Sequence, residues 1–314
     1  MKRYIIPFCA IFALAACTKQ PEPVQPAVVP PPPAVADQPV NPPPPQSAQE
    51  LFSAKIDQVL VGTWREPANK ARDEYRHPKQ TLEFLGLKPA MNLIEITPGE
   101  GWYAEILAPL LKDDGSYTAA IVKSSKPDDF AATQAAKLNK TMTAHSDQFA
   151  NAKTIQYDPK NPDFGPPASA DMVLTFRNAH NWVMGGFAPT MFKAFFSVLK
   201  PGGVLGVVDH RASPGADLEK IKKSGYLPED YVIKLATDAG FKLDAKSDIN
   251  ANPKDDHEHP KGVWTLPPTL QLGDKDKDKY LAIGESDRMT LRFVKPEGDK
   301  IFSSPAEHGE PAKN

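Results

Sequence analysis

From Leu51 onward, short apolar runs alternate with stretches of helical spacing, and this alternation limits the possible folds more than any other feature of the chain. Met91–Ile96, Tyr117–Val122, Lys153–Tyr157, Asp171–Phe176 and Val204–Val208 read as short strands buried on both faces. Between them, Trp102–Leu111, Asp128–Lys140 and Pro189–Leu199 carry helical spacing, and Tyr231–Ala239 adds a further helix. Strands joined through helices must cross over and run in parallel, so the pattern predicts an α/β domain with helices flanking a mostly parallel sheet. Phe241–Ala245 and Met289–Val294 are expected as the last strands. A long polar excursion separates them; it holds Pro267-Pro268 and the charged run Asp274–Lys279, which reads as a solvated face. Before the first strand, Pro67–Leu85 is predicted to be helical, stopped by Gly86 and Pro89.

The first 50 residues read differently. Lys2 and Arg3 precede an apolar stretch, Tyr4–Ala16, which is too short to span a bilayer but fits the core of a secretory signal. Its end, Leu14-Ala15-Ala16-Cys17, resembles the bacterial lipoprotein signal. That resemblance implies a signal peptide over 1–16, a lipidated terminus and linker over 17–50 with the lipid on Cys17, and the folded domain over 51–314. With Thr18 after the cysteine, the expected location is the cell envelope, periplasm-facing and held at the outer membrane. Of 34 prolines, twelve fall between Pro21 and Pro45, with no aromatic residue among them. Such a segment cannot bury enough surface to offset its conformational entropy and is expected to act as a disordered, polyproline-like spacer. Cys9 would leave with the signal, so no thiol would remain for a disulfide, a metal or catalysis. The 37 basic and 39 acidic side chains nearly cancel, which argues against nucleic acid as a partner.

After the first strand comes Glu95-Ile96-Thr97-Pro98-Gly99-Glu100-Gly101-Trp102-Tyr103, and then a helix. Glycines belong where a strand turns sharply into a helix and another group approaches the backbone. Gly99 to Ala104 formally satisfies the G-x-G-x-x-A pattern of dinucleotide-binding folds, and Lys123-Ser124-Ser125 would suit the 2′-phosphate of NADP. An NADP-binding oxidoreductase is therefore one reading.

A second reading places the acid before the glycines. Glu95 to Gly101 resembles the E-x-G-x-G-x-G signature of class I S-adenosylmethionine-dependent methyltransferases, with Thr97 at the first glycine position. Phe176-Arg177-Asn178-Ala179-His180-Asn181-Trp182, which ends the fourth strand, reads as a polar and aromatic loop at the carboxyl edge of the sheet. Leu199-Lys200-Pro201-Gly202-Gly203 resembles the turn into the fifth, and Asp209-His210-Arg211 stands at that strand's end. The Thr-Pro form of the glycine turn and the Arg-Asn-Ala-His-Asn-Trp segment are similar to those of a group of exported methyltransferases. The resemblance covers Leu82 to Lys295 and implies a seven-stranded, Rossmann-like sheet with S-adenosyl-L-methionine as cofactor. By the same resemblance, Glu95, Thr97, Pro98, Gly99, Gly101, Trp102, Tyr103, Asp158, Arg177 and Asn178 would face the cofactor, while Asn181, Trp182 and Arg211 would face the acceptor. One position departs from the pattern: Ala119-Ala120-Ile121-Val122-Lys123 lacks the acid that holds the ribose at the end of strand two.

His180 and His210 stand just past strand ends, where ligands bind in open α/β sheets, and an imidazole there can take a proton from an acceptor near neutral pH. His180 is the better candidate, because His210 has Asp209 and Arg211 as immediate neighbours. Arg177 and Arg211 could also hold an anionic substrate group. No metal is expected. Asp255-Asp256-His257-Glu258-His259 lacks helical ligand spacing and reads as a solvated acidic loop. Asp73, Arg76 and His77, on one face of the leading helix, are secondary candidates. The acceptor is expected to be a small molecule of unknown identity, and nothing in the sequence sets the oligomeric state. A non-catalytic, ligand-binding lipoprotein on the same fold is the alternative from another functional class.

Overall fold

A computed structural model describes residues 47–298; the signal segment, Cys17 and the proline tract lie outside the described residues. The first helix, α1 (Ala48–Leu60), starts at a capping box in which the Ser47 hydroxyl accepts from the Glu50 amide and the Glu50 carboxylate accepts from the Ser47 amide. The single helix expected over Pro67–Leu85 is three short ones: α2 (Pro67–Lys70), α3 (Asp73–Arg76) and α4 (Pro78–Leu85). Pro78 is the cause. It has no amide hydrogen and disfavours helical geometry in the residue before it, and His77 accordingly takes φ +41°.

The chain continues as β1 (Asn92–Ile96), α5 (Ala104–Leu111), β2 (Ser116–Val122), α6 (Phe130–Ala144), β3 (Ala152–Tyr157) and β4 (Ala170–Phe176). Then follow α7 (Ala179–Gly185), α8 (Ala188–Val198), β5 (Leu199–His210), α9 (Leu218–Ile221), α10 (Glu229–Asp238), β6 (Lys242–Ser247), α11 (Lys277–Ile283) and β7 (Arg288–Val294). The seven strands form one sheet in the order β3-β2-β1-β4-β5-β7-β6. β1 to β5 are parallel, and β7 runs antiparallel between β5 and β6. The seven-stranded α/β sheet expected from the sequence is therefore present.

Alternation along the strands fills a core on each face. Ile94 and Ile96 face the side of α7, α8 and α10, while Leu93 faces the side of α1, α4, α5 and α6. The chain winds outward from β1 through β2 to β3 and returns to β4 on the other side of β1. This reversal opens a crevice at the carboxyl ends of β1 and β4. Because β7 is antiparallel, its first residues arrive at that same edge: Arg288 pairs with His210, the last residue of β5.

Two local expectations are corrected. The segment after β4 is not a loop; it folds into α7 from Ala179, whose backbone amides would otherwise lack partners in this buried position. The acidic cluster is solvated at Asp256 and Glu258 but not at Asp255, which is buried and accepts hydrogen bonds from the Tyr226 hydroxyl, His259 Nε2 and the Asp287 amide. The run Asp274–Lys279, by contrast, is exposed as expected.

Candidate functional site

The turn after β1 holds positive φ at Thr97 (+52°), Gly99 (+64°) and Gly101 (+100°). A Cβ on Gly101 would stand 2.9 Å from Leu138 Cδ1, and one on Gly99 would stand 3.2 Å from Gln134 Oε1. Both contacts come from α6, so these glycines let a helix close on the turn. Thr97 has no such excuse. A β-branched residue in the left-handed region is strained, and here it is held by the Ala120 carbonyl on its amide and by Tyr157 Oη, 2.6 Å from its hydroxyl. The Pro98 carbonyl accepts from the Gly101 amide and closes the turn.

Beneath the turn, Glu95 is buried and accepts a 2.6 Å hydrogen bond from Tyr117 Oη. Burial pushes its carboxyl up to about 7, against the opposing pull of that hydrogen bond and of Arg76. Above the turn, the Trp102 indole donates to the Asn69 carbonyl and lies 4.5 Å from the Arg76 guanidinium, which holds α2 and α3 over the site. Tyr103 stacks on Phe176 with ring centres 3.5 Å apart. The turns after β1 and β4 are thereby packed together.

Asn178 joins them by hydrogen bonds: its Nδ2 donates to the Ile96 carbonyl at 2.9 Å and to Thr175 Oγ1 at 3.2 Å. Next to it, Arg177 is a second strained residue, with φ +63°. His180, at the start of α7, is buried, and its Nδ1 lies 2.8 Å from Asp209 Oδ1. Asp209 also accepts from the backbone amides of His180 and His210. This corrects the pairing expected from the sequence, where Asp209 was a neighbour for His210 and Arg211. Its carboxylate instead reaches across from β5 to α7 and fixes the tautomer of His180, with the proton on Nδ1 and the lone pair on Nε2. The His210 ring lies 4.9 Å from that of His180, and its Nδ1 contacts Ser286 Oγ at 2.5 Å. Burial, followed by His180 when it is protonated and by the guanidinium groups of Arg177, Arg288 and Arg76, drives the His210 pKa well down, so this imidazole is neutral. The ligand atoms of His180, Asp209 and His210 lie within 4.8 Å of one another, but the Asp209 carboxylate is already committed to hydrogen bonds.

The sequence reading missed the residues brought here by β7. Glu285 accepts from Arg72 Nε at 2.6 Å, Arg76 Nε at 3.2 Å and Arg288 Nη1 at 3.0 Å. Burial works to raise the Glu285 pKa, but Arg76, Arg288, Arg177 and Arg72 outweigh it and hold the carboxyl well below its usual range. Only the antiparallel insertion of β7 places these residues at the carboxyl edge, and no local motif announces it.

Four expected site residues have other tasks. Trp182 is buried in the core against Phe195 and Phe192. Asn181 is exposed one helical step away. Asp158 is exposed and accepts from the Lys160 amide, capping its own turn. Arg211 is saturated by carboxylates: it grips Asp287 through two nitrogens, at 2.9 and 3.0 Å, and Asp248 at 2.6 Å. Of the secondary candidates, Asp73 is taken by a two-pronged pair with Arg65, and the break at His77 removes it from the face shared with Arg76.

At the end of β2, where the ribose acid is missing, lies a cavity of about 400 Å³. Its walls are apolar groups of Ile121, Val122, Pro127 and the first turns of α6, with Ser124, Ser125 and Gln156 as neutral polar groups and Lys126 as a cation.

No family model matches the sequence, and comparison with curated proteins finds no match. Solved structures do match. A protein of Galdieria sulphuraria assigned as a sarcosine dimethylglycine methyltransferase superposes with a TM-score of 0.52 at 15% identity, covering 78% of this chain and 98% of that one. The [4+2]-cyclase SpnF superposes with a TM-score of 0.52 at 16% identity, covering 81% of this chain and 97% of that one. With the strand order above, these similarities decide the architecture. The fold is that of the class I methyltransferases. In the methyltransferase fold of this chain, the β1 turn, the β4 turn and the Asp209–His180 pair share one edge of the sheet.

Proposed function

We propose that this chain is an S-adenosyl-L-methionine-dependent methyltransferase acting on a small acceptor, tethered to the bacterial envelope through lipid on Cys17. One fold hosts many reactions, so fold likeness alone does not carry the reading. The observation that carries it is the Asp209-held His180 at the carboxyl edge of β4 and β5, beside the β1 turn.

The residues present suit the cofactor by the chemistry of their donor sets. The cavity at the end of β2 offers apolar walls with hydroxyl and amide groups beside Lys126, a setting in which Ser124 and Gln156 would meet the adenosyl moiety in place of the missing acid. Thr97, Gly99 and Gly101 would hold the amino-acid end. When bound, the cofactor supplies a sulfonium-activated methyl group. Within the chain, Asn178 keeps the two turns in register, and Asp209 holds Nδ1 of His180 so that Nε2 can take a proton from the acceptor's nucleophile. The resulting imidazolium is stabilised by the Asp209 carboxylate. Neutral His210 packs beside it and adds no charge to oppose that transfer.

Calorimetric titration with S-adenosylmethionine, S-adenosylhomocysteine and NADPH tests the reading. Binding of the first two and not of NADPH is expected. Binding of NADPH alone would point to an oxidoreductase, and binding of none to a ligand-binding lipoprotein. Intact-mass analysis of the mature protein should find diacylglycerol on Cys17, and Cys17→Ser should release the protein from membranes.

A further inference from the structure

The carboxyl edge carries more positive charge than its own carboxylates neutralise. Four guanidinium groups, on Arg72, Arg76, Arg177 and Arg288, act electrostatically on the single carboxylate of Glu285. Three of them touch it; the fourth, Arg177, does not. Buried guanidinium nitrogens are left without partners among the described residues: Arg72 Nη2, Arg177 Nε and Arg288 Nε. Arg288 is only 3% exposed and Arg76 only 6%, so water does little to compensate them. An unpaired N–H in such a place is costly, and guanidinium groups converging from three separate segments make an arrangement that an oxyanion would satisfy.

We propose that this arginine cage is the acceptor-recognition site and takes an oxyanionic group of the substrate, a carboxylate or a phosphate. The inference rests on the methyl-transfer reading for its description of the ligand as an acceptor, and on the geometry alone for its description of the ligand as an oxyanion. Arg177 follows β4 directly and lies three residues before His180, and Arg288 pairs across the sheet with His210. A substrate anchored there by its oxyanion would present the rest of its structure to the His180 base. Burial, together with the positive charge of Arg288 and Arg72, pushes Arg177 down to about 10 against the opposing pull of Glu285 and Asp209; an incoming anion relieves that repulsion. Arg211 is excluded from this role because Asp287 and Asp248 already occupy it.

The test is calorimetric titration of the full chain with inorganic phosphate and, separately, with succinate, followed by S-adenosylhomocysteine. The variants are Arg177→Gln, Arg72→Gln and, outside the cage, Arg211→Gln, each checked for folding by its thermal transition. At least one oxyanion should bind the native chain, weaken at least tenfold in both cage variants and be unchanged in Arg211→Gln. S-adenosylhomocysteine should bind all of them within threefold. Failure of both anions to bind, or equal binding in the cage variants, overturns the proposal. A parallel loss of S-adenosylhomocysteine binding in Arg177→Gln also overturns it, by assigning the cage to the cofactor's own carboxylate. Oxyanion binding that depends on the cage, with no S-adenosylhomocysteine binding to any chain, upholds the oxyanion site and rejects methyl transfer instead. Arg177→Lys supplies a second readout: it keeps the charge but loses the planar fork, and should recover only part of the affinity.

Discussion

Asn178 Nδ2 donates to the Ile96 carbonyl at 2.9 Å, tying the start of the β4 turn to the last residue of β1. The bond crosses the point where strand order reverses, and so couples the two halves of the candidate site. Asn178→Leu removes it and leaves a buried carbonyl and Thr175 Oγ1 without their donor. The expected cost is about 1–3 kcal/mol in urea unfolding, with S-adenosylhomocysteine affinity weakened roughly tenfold in calorimetry because the β1 turn is no longer held. An affinity equal to that of the native chain would show that the turn holds its shape without Asn178.

The Asp209–His180 pair predicts a division between binding and rate. Asp209→Asn keeps the shape but offers His180 the wrong hydrogen-bonding partner through its amide face, and His180→Gln removes the base. With an acceptor in hand, each should lower kcat by about two to four orders of magnitude, leaving cofactor affinity nearly unchanged. Steady-state kinetics beside calorimetry separates the two effects. Near-native kcat in folded His180→Gln would assign the transfer to alignment alone.

Glu95 predicts a pH signature. Its carboxyl stands at about 7 in the folded chain against an ordinary 4.5, so the folded state holds the proton more tightly than the unfolded state. Stability contributed by the protonated form is therefore complete below about pH 4.5, is lost as pH rises toward 7, and is absent above that. The loss amounts to about 3 kcal/mol at most. Glu95→Gln keeps a neutral hydrogen-bonding group beside Tyr117 and should remove this slope. Urea unfolding at pH 5 and pH 8 should show the native chain losing more stability than the variant between the two; parallel losses would remove Glu95 as the cause.

Glu285 is the only carboxylate that Arg72, Arg76 and Arg288 share at the described site. Glu285→Gln leaves buried guanidinium groups facing one another and should destabilise the fold by about 3–5 kcal/mol. Added phosphate should restore part of that loss in a thermal-shift measurement, because an oxyanion would then stand in for the missing charge.

The sequence by itself determined the elements and their layering. The apolar runs that became β1, β2 and β4 are too short and too uniformly apolar for surface helices, and the helical spacings between the strands dictated parallel crossovers, whereas β3, expected to be buried, is largely exposed because it lies at the sheet edge. The glycine turn and the histidines at strand ends were legible for the same local reason, since residue type and position relative to a strand are both written along the chain. Tertiary structure decided the partners. Gly101 was expected to make room for a ligand, yet the nearest atom to its absent Cβ is Leu138 of α6. Asp209 was expected to serve its chain neighbours, yet it holds His180, 29 residues earlier. Trp182 sits in the segment that suggested a binding loop, yet helix formation from Ala179 turns its ring into the core. Above all, Glu285 and Arg288 reach the site only because β7 inserts antiparallel beside β5. Local pattern sets what each segment becomes, but contacts across 200 residues, such as Arg76 to Glu285, exist only once the sheet order is fixed.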